Sequence, residues 1–315
     1  MSPTPVRVAA VLLARDRPEV TARTLEAVVA QGPDALILVS NDGTPAVDAV
    51  LRDAAAAHPD ARVVRLDRNL GAAGGFHAGF AAALERDDLD AVWCFDDDAT
   101  PAPDCLTALV AAYQRLDRVG CAGALTHDGS GRLSWPLWPV DTLVPLHTLE
   151  EARRAGGAHG ALAVAGLSWH ALLVPLAVLR AHGNVWAELF HQYEDAEFGL
   201  RIRDAGLCAY AVAEAECLHP PAPPAREARI ARWSIRVTEE APAKEYLTIR
   251  NDLVVRRRYN GARFWYGTMP LIVLRGLLVC LRRRDMPRWR AVRDVWLRAI
   301  GDAARGRLGP PPAGL

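Results

Sequence analysis

Lysine is almost missing from this sequence of 315 residues: Lys244 stands alone, and nearly all the other basic side chains are arginines. Net charge is missing too, because the lysines and arginines number 37 and so do the aspartates and glutamates. A balanced chain has no global pull toward nucleic acid, so any basic surface must be local. The six cysteines, Cys94, Cys105, Cys121, Cys208, Cys217 and Cys280, form no C-x-x-C pair and stand mostly among apolar neighbours. That is the pattern of buried free thiols in a reducing cytosol. No uncharged run reaches the roughly 18 to 20 residues that a membrane-spanning helix needs. The first apolar run is cut off by "ARDR" and has no A-x-A cleavage site, so a strand is expected there and not a signal peptide. Internal repeats are absent as well.

What is present is apolar residue: 51% of the chain is hydrophobic, enough for a sizeable core. Residues 6–13, "VRVAAVLL", read as a buried parallel strand, and "RPEVTARTLEAVVAQG" follows with helical spacing until Gly32. The alternation continues through "ALILVSNDGTP", "AVDAVLRDAAAAH" and "ARVVRLD". A glycine-rich loop running into a helix is expected over "RNLGAAGGFHAGFAAALE", then a fourth strand over "LDAVWCF". Strands alternating with helices imply right-handed crossovers, a mainly parallel sheet flanked by helices, and ligands beyond the carboxyl ends of the strands. Residues 101–116 read as a helix with Asp104 as N-cap, and residues 120–165 as looser chain covering the site. A further helix lies within "ELFHQYEDAEFGLRIRDAGL", and a strand in "CAYAVAEAECLH".

The sharpest change of composition is "PPAPPARE", residues 220–227, which divides residues 1–225 from an Arg-rich helical region over 226–315. There "YGTMPLIVLRGLLVCLRRR" sets an apolar helix beside a basic cluster. Leu271, Val273, Leu274, Leu277, Leu278 and Leu281 can insert into an anionic membrane surface to which Arg282–Arg284 are attracted. The competing reading is a helix packed on the catalytic domain. The expected location is the cytoplasm, at the inner face of the membrane.

Five features converge on the rim. Asp96, Asp97 and Asp98 end an apolar strand, and alternation lets Asp96 and Asp98 share one side, where two carboxylates suit Mg²⁺ or Mn²⁺ together with a substrate diphosphate. Without a ligand, the triplet is a solvated acidic turn. Gly71, Gly74, Gly75 and Gly79 do not make G-x-G-x-x-G and follow the third strand, so they fit close packing against a nucleotide, or a plain turn, better than a dinucleotide fingerprint. Glu194 and Asp195 open a helix, where one acid complements the helix dipole and a second suggests a general base beside an acceptor-binding group. His219 ends a strand before the prolines and is as readily structural as metal-binding. His191 is its competitor for a polar role in an acceptor pocket.

In their order, "ARDRPE", "VSNDGT", "RNLGAAGGFHAGF", "WCFDDDATP", "LFHQYEDAEFGLRIRDAG" and "YLTIRND" resemble a family 2 glycosyltransferase of the GT-A fold, in its bacterial rhamnosyltransferase and galactofuranosyltransferase-like branch. The resemblance spans residues 6 to about 255. It implies that Arg15, Asn41 or Asp42, Asn69, Gly75, Asp96 and Asp97 hold a UDP- or dTDP-linked sugar. It further implies that Asp98, with Asp96 and His219, binds the divalent cation, that Asp195 is the catalytic base, and that Glu194, His191 and Trp186 face the acceptor, a glycan or lipid-linked hydroxyl. "SNDGT" departs from the D-G-S pattern of many relatives, which puts the base contact in question. The implied reaction is a single inverting displacement that moves rhamnose or galactofuranose. Two rivals remain. A sugar-phosphate nucleotidyltransferase would carry a glycine-rich basic loop at the first strand, which "LLARDRPE" lacks. A non-catalytic glycan-binding module of the same fold would not need Asp98 and Asp195.

Overall fold

In the computed structural model, which describes residues 5–142, 144–220, 225–230, 233–238, 241–282 and 289–315, the apolar runs become the interior of one sheet. The chain runs β1 (Val8–Ala14), α1 (Pro18–Val29), β2 (Ala35–Asn41), α2 (Pro45–Ala57), β3 (Ala61–Leu66), α3 (Gly71–Leu84), β4 (Ala91–Asp96) and β5 (Thr100–Pro101). It continues through α4 (Cys105–Arg115), β6 (Val119–His127), β7 (Arg132–Leu137), β8 (Leu146–Thr148), α5 (Leu149–Gly156), β9 (Ala161–Val164) and β10 (Leu172–Pro175). Then come α6 (Leu176–His182), α7 (Glu194–Asp204), β11 (Cys208–Leu218), β12 (Ala225–Ile230), β13 (Trp233–Thr238), α8 (Pro242–Asn260), α9 (Met269–Arg282) and α10 (Trp289–Ala304).

The sheet runs β3-β2-β1-β4-β10-β6-β11-β5. β3, β2, β1 and β4 are parallel neighbours, as the alternation of strands and helices requires, and β6 and β11 are parallel as well. β10 enters antiparallel between β4 and β6. Every residue of β1 and β2 is buried. Such strands need apolar side chains on both faces, which is why they read as unbroken hydrophobic runs.

Packing divides the chain into two units. One is Met1–Ala187 with Asp195–Ala222, and the other is Glu188–Glu194 with Pro223–Leu315. The second takes in the short segment just before Asp195, which no change of composition marks. Its own core joins Tyr246, Leu247 and Leu253 of α8 to Val295, Trp296 and Ala299 of α10.

Three expectations are corrected. The glycines expected in a loop before α3 lie inside that helix. A Cβ on Gly75 would stand 2.3 Å from Leu13 Cδ1, and one on Gly79 2.5 Å from Val11 Cγ1. The bare backbone lets α3 settle onto β1, so the close approach at Gly75 is to Leu13. Asp104 stands at the N-cap position of α4 as expected, but at φ +64° its side chain makes no capping bond. Residues 120–165, expected to be loose, form β6, β7, β8, α5 and β9. The side chains of Cys94, Cys105, Cys121, Cys208 and Cys217 are free thiols, and that of Cys280 lies outside the described residues.

Helix propensity favours alanine over glycine by about 1 kcal/mol. Overpacking against Val11 and Val39 costs about 1 to 3 kcal/mol. Gly79→Ala is therefore expected to lower stability on balance, read as a lower urea midpoint; a raised midpoint would show that β1 gives way.

Candidate active site at the strand rim

Asp96 is the last residue of β4, and the chain turns immediately, with Ala99 N donating to Asp96 O at 3.3 Å. Three successive carboxylates repel one another and lose hydration beside the apolar strand. Each is met by a guanidinium, an imidazole or both.

Asp97, which is buried, takes a forked contact from Arg17, whose Nε stands 3.2 Å from Oδ2 and whose Nη2 meets Oδ1. The same guanidinium reaches Asp98 Oδ2 through Nη1 at 2.6 Å. Arg17 immediately precedes α1, where Pro18 opens the helix, and Thr24 of α1 donates to the Asp97 carbonyl at 2.8 Å. The first helix is thus strapped to the triplet. Burial pushes the Asp97 carboxyl up to about 6 against the pull of Arg17. Burial alone would raise Asp98 as well, but hydrogen bonds from His219 and Arg17 hold it well below the usual carboxylate range.

His219 Nε2 lies 3.3 Å from Asp98 Oδ1, and its Nδ1 donates to the Pro220 carbonyl at 2.6 Å. With Nδ1 protonated, Nε2 either carries a second proton or aims a lone pair at the carboxylate. Two lone pairs so close require a proton or a cation between them. Donors bonded at 2.0–2.2 Å to one metal ion stand about this far apart, so an imidazole and a carboxylate here fit half of a divalent site. Asp96 turns away to a second imidazole, His170 Nε2, at 3.2 Å. Its expected partnership with Asp98 and His219 is therefore corrected, and among the described residues no group of three His, Cys, Asp or Glu side chains gathers in metal-holding geometry. The His170 and His219 rings lie 4.2 Å apart, and Trp135 covers both, at 4.8 and 4.7 Å.

Asp195 stands in the first turn of α7, partly buried, with Oδ1 accepting from Ala196 N at 2.6 Å. Burial raises its carboxyl; the Ala196 bond and the His170 ring oppose that rise, and Asp96 adds to it. Asp96, His170 and Asp195 therefore share one electrostatic neighbourhood.

Other expected residues are placed differently. Asn41 is buried, and its amide is spent on Asn69 Oδ1 at 3.1 Å and Gly71 O at 3.0 Å, while Leu70 N donates to Asn41 Oδ1 at 2.8 Å. Asn41 and Asn69 therefore close the turn into α3, and of the pair Asn41 and Asp42 only Asp42 is exposed. The Arg15 side chain, expected to help hold the nucleotide sugar, approaches Asp16 at 3.7 Å, and the arginine at the triplet is Arg17. Trp186 belongs to the first unit, His191 and Glu194 to the second, and Glu194 is buried. Sequence reasoning missed Arg17, Trp135 and His170. Arg17 stands inside the quoted "ARDRPE" and Trp135 inside "SWPLWPV", whereas His170 has no local signal.

The pattern described as "Glycosyl transferase family 2" matches residues 10–163. The chain is 32% identical over 217 residues to galactofuranosyltransferase GlfT1 of Mycobacterium tuberculosis (strain H37Rv), a span of 67% of this chain and 69% of that protein. It is 36% identical over 135 residues to GlfT1 of Mycolicibacterium smegmatis, covering 41% and 43% of the two chains. GalNAc-T7 with UDP, GalNAc and Mn²⁺ is similar in fold, with a TM-score of 0.54 and 14% identity over 80% of this chain, which spans 48% of that one. The mannosyltransferase PcManGT of Pyrobaculum calidifontis, in complex with GDP-Man and Mn²⁺, has a TM-score of 0.52 and 14% identity over 96% of this chain and 86% of its own.

Removing Arg17 leaves a buried carboxylate with no fork to hold it. Arg17→Ala is expected to cost about 1 to 3 kcal/mol in urea unfolding, and Arg17→Lys a part of that, since an ammonium cannot make the fork. Arg15→Ala should stay within about 0.5 kcal/mol. Equal losses from Arg17→Ala and Arg15→Ala would remove Arg17 from the charge balance.

Proposed function

The chain belongs to glycosyl transferase family 2, in its galactofuranosyltransferase-like branch, and from that premise we propose that it transfers galactofuranose or rhamnose, with inversion, from a UDP- or dTDP-sugar to a hydroxyl of a cell-envelope or lipid-linked glycan. That it is a glycosyltransferase using a nucleotide-sugar donor, built on the GT-A fold, follows from its relatives and its architecture. The observation that carries the finer reading is the rim itself, where the facing Asp98 and His219 lie in the same unit as an Asp195 whose carboxyl is raised by burial.

In this reading Asp98 and His219 would hold a divalent cation, Mg²⁺ or Mn²⁺. Such an ion supplies positive charge against the leaving nucleoside diphosphate. Asp97, fixed by Arg17, keeps the turn rigid so that Asp98 faces the rim. Asp42, exposed at the end of β2, serves the nucleoside. Asp195 accepts the proton of the acceptor hydroxyl, and the oxygen then attacks the anomeric carbon from the face opposite the diphosphate. A carboxyl raised toward neutrality is a better base for a hydroxyl than an ordinary aspartate. Glu194, His191 and Trp186 are assigned to the acceptor.

The second unit is assigned to an anionic membrane surface. No described helix is long and apolar enough to cross a bilayer. Trp265, Tyr266, Leu271 and Leu274 are nonetheless exposed, by 56%, 72%, 67% and 51%. Between Asp252 and Asp285 the chain has eight arginines and no acid. Exposed aromatics and leucines beside arginines complement an anionic interface. Of the residues expected to make this contact, Arg283 and Arg284 lie outside the described residues, as do the side chains of Leu277, Leu278, Leu281 and Arg282.

Asp195→Asn keeps the size of the side chain but cannot take a proton, so donor binding should persist while single-turnover transfer falls by about 10² to 10⁴-fold. In the wild type the acid limb of kcat should lie above the ordinary aspartate value of about 3.9, because activity is lost as the raised base protonates. Near-normal transfer by Asp195→Asn, or a product of retained configuration by NMR, overturns the base assignment. Chelation and Asp98→Ala should each abolish transfer while the circular dichroism spectrum persists; full turnover in excess chelator removes the metal. Co-sedimentation with phosphatidylglycerol vesicles should fall as salt rises and fall further for Trp265→Ala with Leu271→Asp, and no binding at low salt would return these residues to an ordinary surface.

A further inference from the structure

The segment leading into Asp195 is bent into a path that its residues resist. Phe190, Gln192 and Tyr193 have φ of +67°, +71° and +72°. Residues other than glycine enter this left-handed region rarely, because Cβ crowds the following carbonyl. Three such residues within four positions persist only if their surroundings impose the conformation.

The restraint comes from α8. Asn251, which is fully buried, directs Nδ2 at the carbonyls of Leu189, His191 and Gln192, at 2.9, 3.0 and 2.7 Å. Arg250 Nε donates to Asn251 Oδ1 at 2.9 Å, which decides which end of the amide faces the segment. The same guanidinium donates to the carbonyls of Leu189 at 3.0 Å and Gly309 at 2.7 Å. It also lies 5.4 Å from the Tyr246 ring, and the Tyr246 hydroxyl donates to Asp302 at 3.0 Å. Arg250 too is fully buried, and a buried guanidinium is costly unless such acceptors surround it. The His191 and Gln192 carbonyls converge on Asn251 along this left-handed path, and Leu189 O is shared between Asn251 and Arg250. Straightening residues 190–193 would strand the buried Asn251 amide, which finds two of its three carbonyls there. The motif "YLTIRND" is in this sense a clamp on "LFHQY".

We propose that Asn251, oriented by Arg250, is a positioning residue for glycosyl transfer: it holds residues 190–193 in their left-handed path, so that Asp195, two residues beyond Tyr193, presents its carboxylate at a fixed place and angle. The inference rests on Asp195 being the base.

Asn251→Ala is expected to lower kcat about 10²-fold, the loss that a misplacement of about 1 Å can cause, while donor KM changes by less than about twofold. Asn251→Gln, which keeps the amide donor, should recover part of kcat. Adding Gln192→Gly to Asn251→Ala should recover about tenfold, because glycine holds a positive φ without the clamp. Gln192→Val leaves both α8 side chains in place and disfavours the left-handed path, so it should show the same loss of kcat at unchanged donor KM even if Asn251→Ala fails to fold. A purely structural Asn251 would lower the thermal midpoint and leave kcat per folded molecule unchanged. Unchanged kcat in folded Asn251→Ala or in Gln192→Val, with Asp195→Asn inactive, overturns the clamp alone. An active Asp195→Asn overturns the base and the clamp together.

Discussion

The compensation of three consecutive carboxylates is the constraint on which the catalytic unit depends. Asp96, Asp97 and Asp98 cannot leave the apolar end of β4 as an unbalanced charge, and the fold supplies one answer to each of them. Arg17 ties Asp97 to the start of α1, His219 brings the end of β11 to Asp98, and His170 brings the start of β10 to Asp96. Elements from the beginning, middle and end of the unit therefore meet at one rim because of charge, although apolar burial alone would have stacked them. The buried pair Thr24 and Asp97 O shows how closely the charge balance is tied to helix placement.

The two sides of the triplet are balanced differently, and chemistry follows from the difference. Asp97 is held by a fork that engages both its oxygens, so its orientation is fixed by Arg17. Asp98 shares its charge between Arg17 and an imidazole whose other nitrogen is already committed to a backbone carbonyl. That leaves Nε2 of His219 and a carboxylate oxygen of Asp98 facing one another at 3.3 Å, with room for a proton or a cation between them. Asp195 is governed by the opposite force, desolvation, and nearby Asp96 pushes its carboxyl in the same direction as burial does. The two environments push Asp98 and Asp195 in opposite directions, one toward charge and the other toward neutrality.

Much of this was legible in the residues. The alternating apolar runs, the acidic triplet and the paired acids of "HQYEDAEF" each follow a local rule, and their order along the chain carried the family resemblance. The glycines of "NLGAAGGFHAGF" were legible as close packing but not as helix, since glycine disfavours helices and only the presence of Leu13 and Val11 explains why bare backbone is wanted there. Asn41 looked like a ligand residue because polar side chains at a strand end usually face the rim. It is buried instead, because the turn into α3 leaves backbone groups that its amide must satisfy.

By itself the sequence determined the parallel strands β1 to β4, the rim at their ends and the identity of the acidic residues there, because period, hydrophobicity and turn chemistry act between neighbours. Which charges meet was decided only in three dimensions. Arg17 stands 80 residues from Asp97 and His170 74 from Asp96, and no local pattern could select Arg17 over Arg15 or His170 over His191. The left-handed path of Phe190, Gln192 and Tyr193 belongs wholly to the tertiary level. Nothing in those side chains favours it, and the partner that meets its His191 and Gln192 carbonyls is Asn251, some 60 residues away.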